Sequence, residues 1–504
     1  MSTLSELFPA GGGDNAIDMV ATGTLPNGSP VILKADGTVE VVAGTTTTYT
    51  ESIPAGSEVV FNAGSTLNLS VAFDPNNANS FVIAYKDIGN LEYLTACVGT
   101  VSGTSISFGA EYVLLSANSN NTVVAFDPNT AGKFVVIYSD YSNGGYGTGI
   151  VGTVVGTTLS FGSSAVFNAG ASNYFSMDFD PNTAGKFVVI YTDDANSSYG
   201  TAVVGTVSGT SVSFGAEYVI LSSGNTLFHS IVFDPSTAGK FVVAYRDDVG
   251  GDYGEAKVGT VSGTTISFGT EAIFQSSRAN LISASFDPNN ANSFVVVYQD
   301  YANSNYGAAV VGTVSGTTIT FGTKTTFNSG AATWWTAVSF DPNTANRVVV
   351  SYTDGNYTAA PSKVIIGTVS GTGISFGSEY EFNASTHYNP YIDFDPSTPG
   401  KFVAVYTDSG NSSYGTAIVG QLAATVSATN LTSTNLLGIS QKAVANGETT
   451  SVETLGGLSA VHSGLTIGSD YYVATDGSLT TTSTDNVSIG KATSATTLNM
   501  RDYV

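Results

Sequence analysis

Residues 174–221 read YFSMDFDPNTAGKFVVIYTDDANSSYGTAVVGTVSGTSVSFGAEYVIL, and this stretch decides the fold. Four runs rich in Val, Ile, Phe, Tyr and Thr are separated by Asp-Pro, Gly, Asn and Ser, the residues that break strands into turns. The pattern predicts strand A at 174–179, B at 187–191, C at 201–207 and D at 211–221, with Gly215 as a bulge or kink in D. Strand B is apolar throughout, as a strand must be when both of its faces are covered.

The same text recurs along the chain. Phe-Asp-Pro appears with its Asp at 74, 127, 180, 234, 287, 341 and 395, at intervals of 53 or 54 residues. Each copy continues with a run such as Phe134-Val135-Val136-Ile137-Tyr138, an Asp two residues later, and a polar loop with a second Tyr. A Val-Gly-Thr-Val-Ser-Gly-Thr segment and a Ser-Phe-Gly run complete it. Four strands in about 50 residues, repeated seven times, is the pattern of a β-propeller blade. Six copies carry strand D internally, and the seventh stops after Ile418-Val419-Gly420. Residues 56–62 (GSEVVFN), ahead of the first copy, match 377–383 (GSEYEFN) of the sixth strand D. The expected fold is all-β: a seven-bladed propeller over 44–423 whose N-terminal strand completes the last blade and leaves no long open edge.

The chain ends predict a second unit. LPNGSPVILKADG (25–37) and LTIGSDYYVATDG (465–477) place Leu, Gly-Ser and Asp-Gly at the same offsets, and Asp-Gly favours a hairpin of type I′. Residues 14–43 and 424–504 are expected to form a small β-barrel-like domain together, with 1–13 as a flexible or partner-bound arm.

Composition narrows the function. Acidic residues (39) outnumber Lys plus Arg (15), for a net charge of −24, which argues against nucleic acid and anionic membranes as partners. The single Cys97 excludes an internal disulfide and a Cys-based zinc site, and reads as a small buried strand residue. No apolar run is long enough to span a membrane. The N-terminus lacks the basic and apolar regions of a secretory leader, so synthesis in a cytoplasm is expected.

Nothing singles out a catalytic centre, a cofactor or a metal, and the protein is read as a non-enzyme. The repeated Asp of Phe-Asp-Pro and the second repeated acid (Asp87, Asp140, Asp193, Asp247, Asp300, Asp354, Asp408) are read as turn caps, with at most weak Ca²⁺ at the loops between B and C. The three histidines lie on separate segments, and Arg347 falls in an A–B turn, away from Arg246 and Arg278, so a three-arginine carboxylate clamp of sialidase type cannot form. The D–A segments differ from copy to copy while their neighbours repeat. They read as loops on one propeller face with the B–C loops, and supply the candidate binding residues Tyr174, Phe228, His229, Trp334, His387 and Tyr388. Aromatic rings beside Asn, Ser and Asp suit sugar or protein surfaces. By strand alternation Phe175 and Trp335 point inward and Tyr174 and Trp334 the other way.

Residues 435–448 (NLLGISQKAVANGE), 463–482 (SGLTIGSDYYVATDGSLTTT), 488–500 (SIGKATSATTLNM) and 20–42 (VATGTLPNGSPVILKADGTVEVV) resemble terminal segments of tail-fibre and other virion structural proteins of marine tailed bacteriophages. That resemblance implies a virion appendage assembled in the host cytoplasm. It would be attached to other virion proteins through one part, homo-oligomeric in the particle, and would display the propeller to a host-surface glycan or protein. Alternative readings are a capsid-decorating or other purely structural virion protein, and a secreted bacterial lectin or adhesin.

Overall fold

A computed structural model describes residues 15–249, 251–355, 360–384, 387–484 and 486–500, with backbone alone at 222, 223, 387–389, 426 and 427. Among these residues there is no α-helix, only strands and short 3₁₀ turns. The chain divides into two compact units, 1–48 with 425–504, and 49–424.

The larger unit is a succession of seven four-stranded antiparallel sheets. In the third copy, strand B is Lys186–Asp193 and strand C Tyr199–Ser208. Strand A is the second half of Ala165–Phe179, and strand D the first half of Ser211–Phe233. B pairs with A through Phe187↔Phe179 and with C through Phe187↔Gly205. C pairs with D through Val207↔Val212, with one extra residue in D beside Gly215. Strands B are buried on both faces, and their alternate residues serve two different cores. Val189 and Tyr191 pack with Val135 and Ile137 of the copy before, while Val188 and Ile190 pack with Ile231 and Phe241 of the copy after. The apolar cores are therefore slabs between successive sheets.

The repeated glycine of Val-Gly-Thr has a steric cause. The Phe187 ring lies against Gly205, where an added Cβ would come within 2.0 Å of it. Phe81, Phe134, Phe241, Phe294 and Phe402 cover Gly99, Gly152, Gly259, Gly312 and Gly420 in the same way.

One expectation is corrected here. The D–A segments are not loops. Ser211–Phe233 is a single 23-residue strand, and Val59–Phe73, Tyr112–Phe126, Ala165–Phe179 and Ala272–Phe286 also cross from one sheet to the next without a break. Only the last two crossings are interrupted, between Thr325–Asn328 and Thr333–Phe340 and between Gly373–Asn383 and His387–Phe394. The backbone leaves strand C of one sheet at Asn225↔Tyr199 and joins strand B of the next at Thr226↔Asp247, so the crossing passes directly from one ladder to the next. The polar residues that suggested loops are bonded within the sheets instead: Asn168 Nδ2 donates to Ser172 Oγ and to Asp193 Oδ1.

Before the first copy, Val59, Val60, Asn62 and Ser65 pair with Ala417, Thr416, Gly415 and Tyr414 of the seventh. Phe61, Phe73 and Phe81 share one core with Val403, Val405 and Val419. Asp393 Oδ2 accepts from Phe73 N at 2.8 Å, as Asp178 Oδ2 accepts from Phe233 N one sheet on. Ser70, Ser176, Ser230 and Ser283 do the same for Val124, Ile231, Ala284 and Val338. Strand A is the edge of its sheet, and side-chain oxygens of the preceding copy take up N–H groups that edge would leave open.

The smaller unit holds two five-stranded sheets. In the first, Ala16–Val20 pairs with Thr449–Thr454, and Pro30–Leu33 lies between Val39–Val41 and Leu436–Ser440. In the second, Asp470–Val473 pairs with Leu479–Thr480 and Val487–Ala492. Ile32 and Val42 pack with Leu465, Tyr471, Val473 and Ile489, so both chain ends build one core. The two Asp-Gly hairpins are not of type I′. Only Gly37 and Gly477 have positive φ (83° and 84°), whereas type I′ needs it at Asp36 and Asp476 as well. Asp36 Oδ1 accepts from Thr38 N and Asp476 Oδ1 from Ser478 N, which stabilises a three-residue loop with glycine last.

Candidate binding site

The two ends of the sheets are built differently. At the A–B end the Phe-Asp-Pro carboxylate of the first, second, third and fifth copies caps its own turn and clips the next copy. Asp127 Oδ1 accepts from Asn129 N at 3.0 Å and its Oδ2 from Gly185 N at 3.1 Å; Asp74 and Asp180 repeat the pattern on Gly132 and Gly239. At the B–C end Asp87, Asp140, Asp193 and Asp408 cap 3₁₀ turns.

The D–A crossings meet around one cavity of about 240 Å³, to which all seven copies contribute. Six of them place there a residue with φ between 50° and 53°: Asn68, Asn121, Tyr174, Phe228, Leu281 and Trp335. The seventh contributes Pro390 and Tyr391. The conformation belongs to a bulge. Between Asn173 and Ser176 the crossing advances three residues while strand B advances two, from Thr192 to Ile190. A left-handed φ costs a non-glycine residue about 1–2 kcal/mol, so such a bulge in six copies is a built feature.

The bulge also corrects the alternation argument. Tyr174 and Phe175 both border the cavity, but the Phe175 ring packs in the apolar core against Phe167 and Tyr191, and it is Tyr174 that is exposed. The tryptophan that occupies the Tyr174 and Phe228 position is Trp335. Trp334 is not among the lining residues; its backbone pairs with Thr353.

Tyr174 is exposed, and its ring meets that of Phe228 edge-on at 5.5 Å. His229 lines the cavity but is buried, with Nδ1 3.1 Å from the Tyr174 carbonyl and Nε2 2.7 Å from Thr226 Oγ1. A carbonyl only accepts, so Nδ1 carries the proton and Nε2 accepts from Thr226. Burial lowers the His229 pKa to about 4, so the ring is neutral and braces the bulge of the preceding copy. Thr336 does this in its own copy, donating to the Leu281 carbonyl. The side chains of His387 and Tyr388 lie outside the described residues; their backbones pair with Asp408 and Thr407.

The cavity is two-sided. Copies one and two offer the amides Asn68 and Asn121, the latter donating from Nδ2 to Asn173 Oδ1 at 3.0 Å, and copy three adds the Tyr174 ring to the apolar side. Copies four to seven offer Phe228, Leu281, Trp335, Pro390 and Tyr391. Among the described residues no group of three or more His, Cys, Asp or Glu is arranged to hold a metal ion. The acids of the fourth B–C loop are engaged with arginines, Asp248 at 2.7 Å from Arg246 and Asp252 at 3.7 Å from both Arg246 and Arg278.

Sequence reasoning missed a set of pairs between buried tyrosines and exposed glutamates. Tyr85, Tyr191, Tyr245 and Tyr352 donate to Glu111, Glu217, Glu271 and Glu379 of the same copy, and Tyr406 donates to Glu58. The constant Tyr-to-Glu spacing of 26 or 27 residues is the signal that could have found them.

No family profile matches this chain, and no curated protein does. Similar solved structures include the BP39L lectin of Burkholderia pseudomallei, at 11% identity and a TM-score of 0.50 over 73% of this chain and 96% of that one. Sqt1 of Chaetomium thermophilum, bound to the N-terminus of ribosomal protein L10, gives 14% and 0.47 over 73% and 100%. AofleA of Arthrobotrys oligospora gives 8% and 0.41 over 73% and 99%. The body has an all-β fold of the β-propeller kind.

Proposed function

We propose that the body is a closed seven-bladed β-propeller and that the protein is a non-enzymatic carbohydrate-binding module, with its ligand in the cavity where the seven crossings meet. The pairing of 59–65 with 414–417, the shared core and the Asp393–Phe73 bond support closure. The observation that carries the binding reading is the contrast within the crossings. Six copies keep one costly backbone bulge, yet the side chain it presents is Asn, Tyr, Phe, Leu or Trp. A purely structural position has no reason to hold the backbone and release the side chain. Rings such as Trp335 and Tyr174 can stack on the apolar face of a sugar while Asn68 and Asn121 bond its hydroxyls. A charge of −24 favours neutral glycans over acidic ones. The likeness to a lectin agrees with this reading.

A glycan array probed with the full chain tests it. Wild type should bind neutral glycans, and Trp335→Ala should lose binding about tenfold, or about 1.4 kcal/mol, with an unchanged melting temperature. Unchanged binding after Trp335→Ala would overturn the assignment.

The resemblance of the terminal segments to virion proteins favours a more specific setting: a phage appendage in which the smaller unit attaches to the particle and the propeller meets the host surface. Mass spectrometry of purified particles for this chain is the test.

A further inference from the structure

The cavity of about 240 Å³ falls below the roughly 300–1,000 Å³ of pockets for drug-sized ligands, so it holds one sugar ring and not a chain. Beside it, on the fourth and fifth copies, lies an unassigned run of contacts. Arg246 sits under the cavity residue Phe228, 5.1 Å from its ring centre. Its Nη groups reach Asp248 and Asn280, and its buried Nε has no hydrogen-bond partner and faces Asp252 at 3.7 Å. Asp252 is 3.7 Å from Arg278, whose Nε donates to Asn280 and whose guanidinium lies 4.8 Å over the Tyr301 ring. Exposure rises outward along this run: 6% for the Arg246 side chain, 30% for Asp252, 41% for Arg278, and 53% for Tyr301.

The fold does not require these groups. The second copy has Ser139, Gly145 and Ala171 where the fourth has Arg246, Asp252 and Arg278, and the third has Thr192, Ser198 and Asn225. Two arginines and a carboxylate placed together in one copy, touching the cavity wall at one end and an exposed tyrosine at the other, have the composition of a recognition surface.

We infer that the Tyr301–Arg278–Asp252 shelf is a second saccharide subsite, which takes the next residue of a neutral oligosaccharide whose terminal ring occupies the cavity. This rests on the carbohydrate-binding reading above. The ligand is neutral because the carboxylates of Asp248 and Asp252 match the two guanidinium charges and leave no net positive charge for an anion. A vicinal diol fits the pair: one hydroxyl accepts from the Arg278 guanidinium, its neighbour donates to Asp252, and the apolar face of the ring stacks on Tyr301.

Calorimetric titration of the full chain with methyl glycosides of glucose, galactose and mannose, and with trisaccharides of each, separates the two sites. At least one trisaccharide should bind about tenfold tighter than its methyl glycoside. Tyr301→Ala and Arg278→Gln should remove that advantage and leave the glycoside unchanged, Tyr301→Phe should keep it, and Trp335→Ala should weaken both ligands. Trisaccharide affinity that survives both Tyr301→Ala and Arg278→Gln, while Trp335→Ala still weakens binding, would overturn the shelf and leave the cavity standing. Binding of none of these sugars to wild type would remove both.

Discussion

The A–B end and the D–A end of the sheets come from the same seven repeats, and they use repetition in opposite ways. At the A–B end backbone and side chain repeat together: Asp74, Asp127 and Asp180 each accept from the turn of their own copy and from the turn of the next. At the D–A end the backbone repeats and the side chain does not, so Asn68, Tyr174, Phe228 and Trp335 share a φ near 50° and nothing else. A side chain that must bridge copies is fixed by its partner, whereas one that faces a cavity is fixed only by what enters it. Repeats therefore separate scaffold from site within one sequence.

If the seam between the seventh and first copies is equal to the other six, opening it should have a larger effect than any single substitution. Removing residues 1–62 takes away the partner of Tyr414–Gln421 and the buried Phe61. An unpaired strand and an opened core slab should replace cooperative melting with aggregation. A truncated chain that melts at the wild-type temperature would mean that the seam is not structural.

Much of the body was legible in the sequence because its signals are local and recur. The expected strand B at 187–191 falls within Lys186–Asp193, since a short run buried on both faces is apolar at every position. The residues around the cavity were legible only as divergent. Their polar Asn and Ser suggested loops, because the bonds that satisfy them, such as Asn168 to Asp193, span 25 residues. The bulge breaks the period of two, so that Trp335 and not Trp334 lines the cavity. The edge contacts of Ser176 and Asp178 reach 55 residues on, and no local pattern reports them.

Within the scaffold, two glycines of one copy are constrained in different ways. Gly205 lies under Phe187 with no room for a methyl group, whereas Gly209 has φ of 61° and open space around it. Gly205→Ala overpacks the core and should cost about 1–3 kcal/mol. Gly209→Ala strains only the backbone and should cost about 1 kcal/mol. Thermal melts of the two variants measure the difference, and an equal loss would mean that the Phe–Gly contact does not set the spacing of the sheets.

The smallest expected effect concerns groups that single copies carry between the two ends. Burial raises Asp178 to about 7 and Asp393 to about 6, against the hydrogen bonds from Phe233 N and Phe73 N that oppose the shift. Burial lowers His229 to about 4. The signs are opposite. A carboxyl raised in the folded state contributes stability that is complete below its unfolded pKa near 3.8 and is lost as pH rises through about 6–7. A histidine lowered in the folded state contributes stability that is present above 6.5 and is lost as pH falls toward 4. Across that window the two effects offset each other in the wild type. Asp178→Asn keeps an acceptor for Phe233 N but cannot ionise, so its melting temperature should fall, relative to wild type, on going from pH 7 to pH 4.5. His229→Gln should show the reverse, falling relative to wild type from pH 4.5 to pH 7. Asp178 borders a second cavity and is only partly shielded, so each change should amount to no more than a few degrees for a unit of this size. Parallel curves for both variants and the wild type between pH 4.5 and 7 would show that neither group is held in its buried form, and that the strands around the cavity are looser than the turns at the other end.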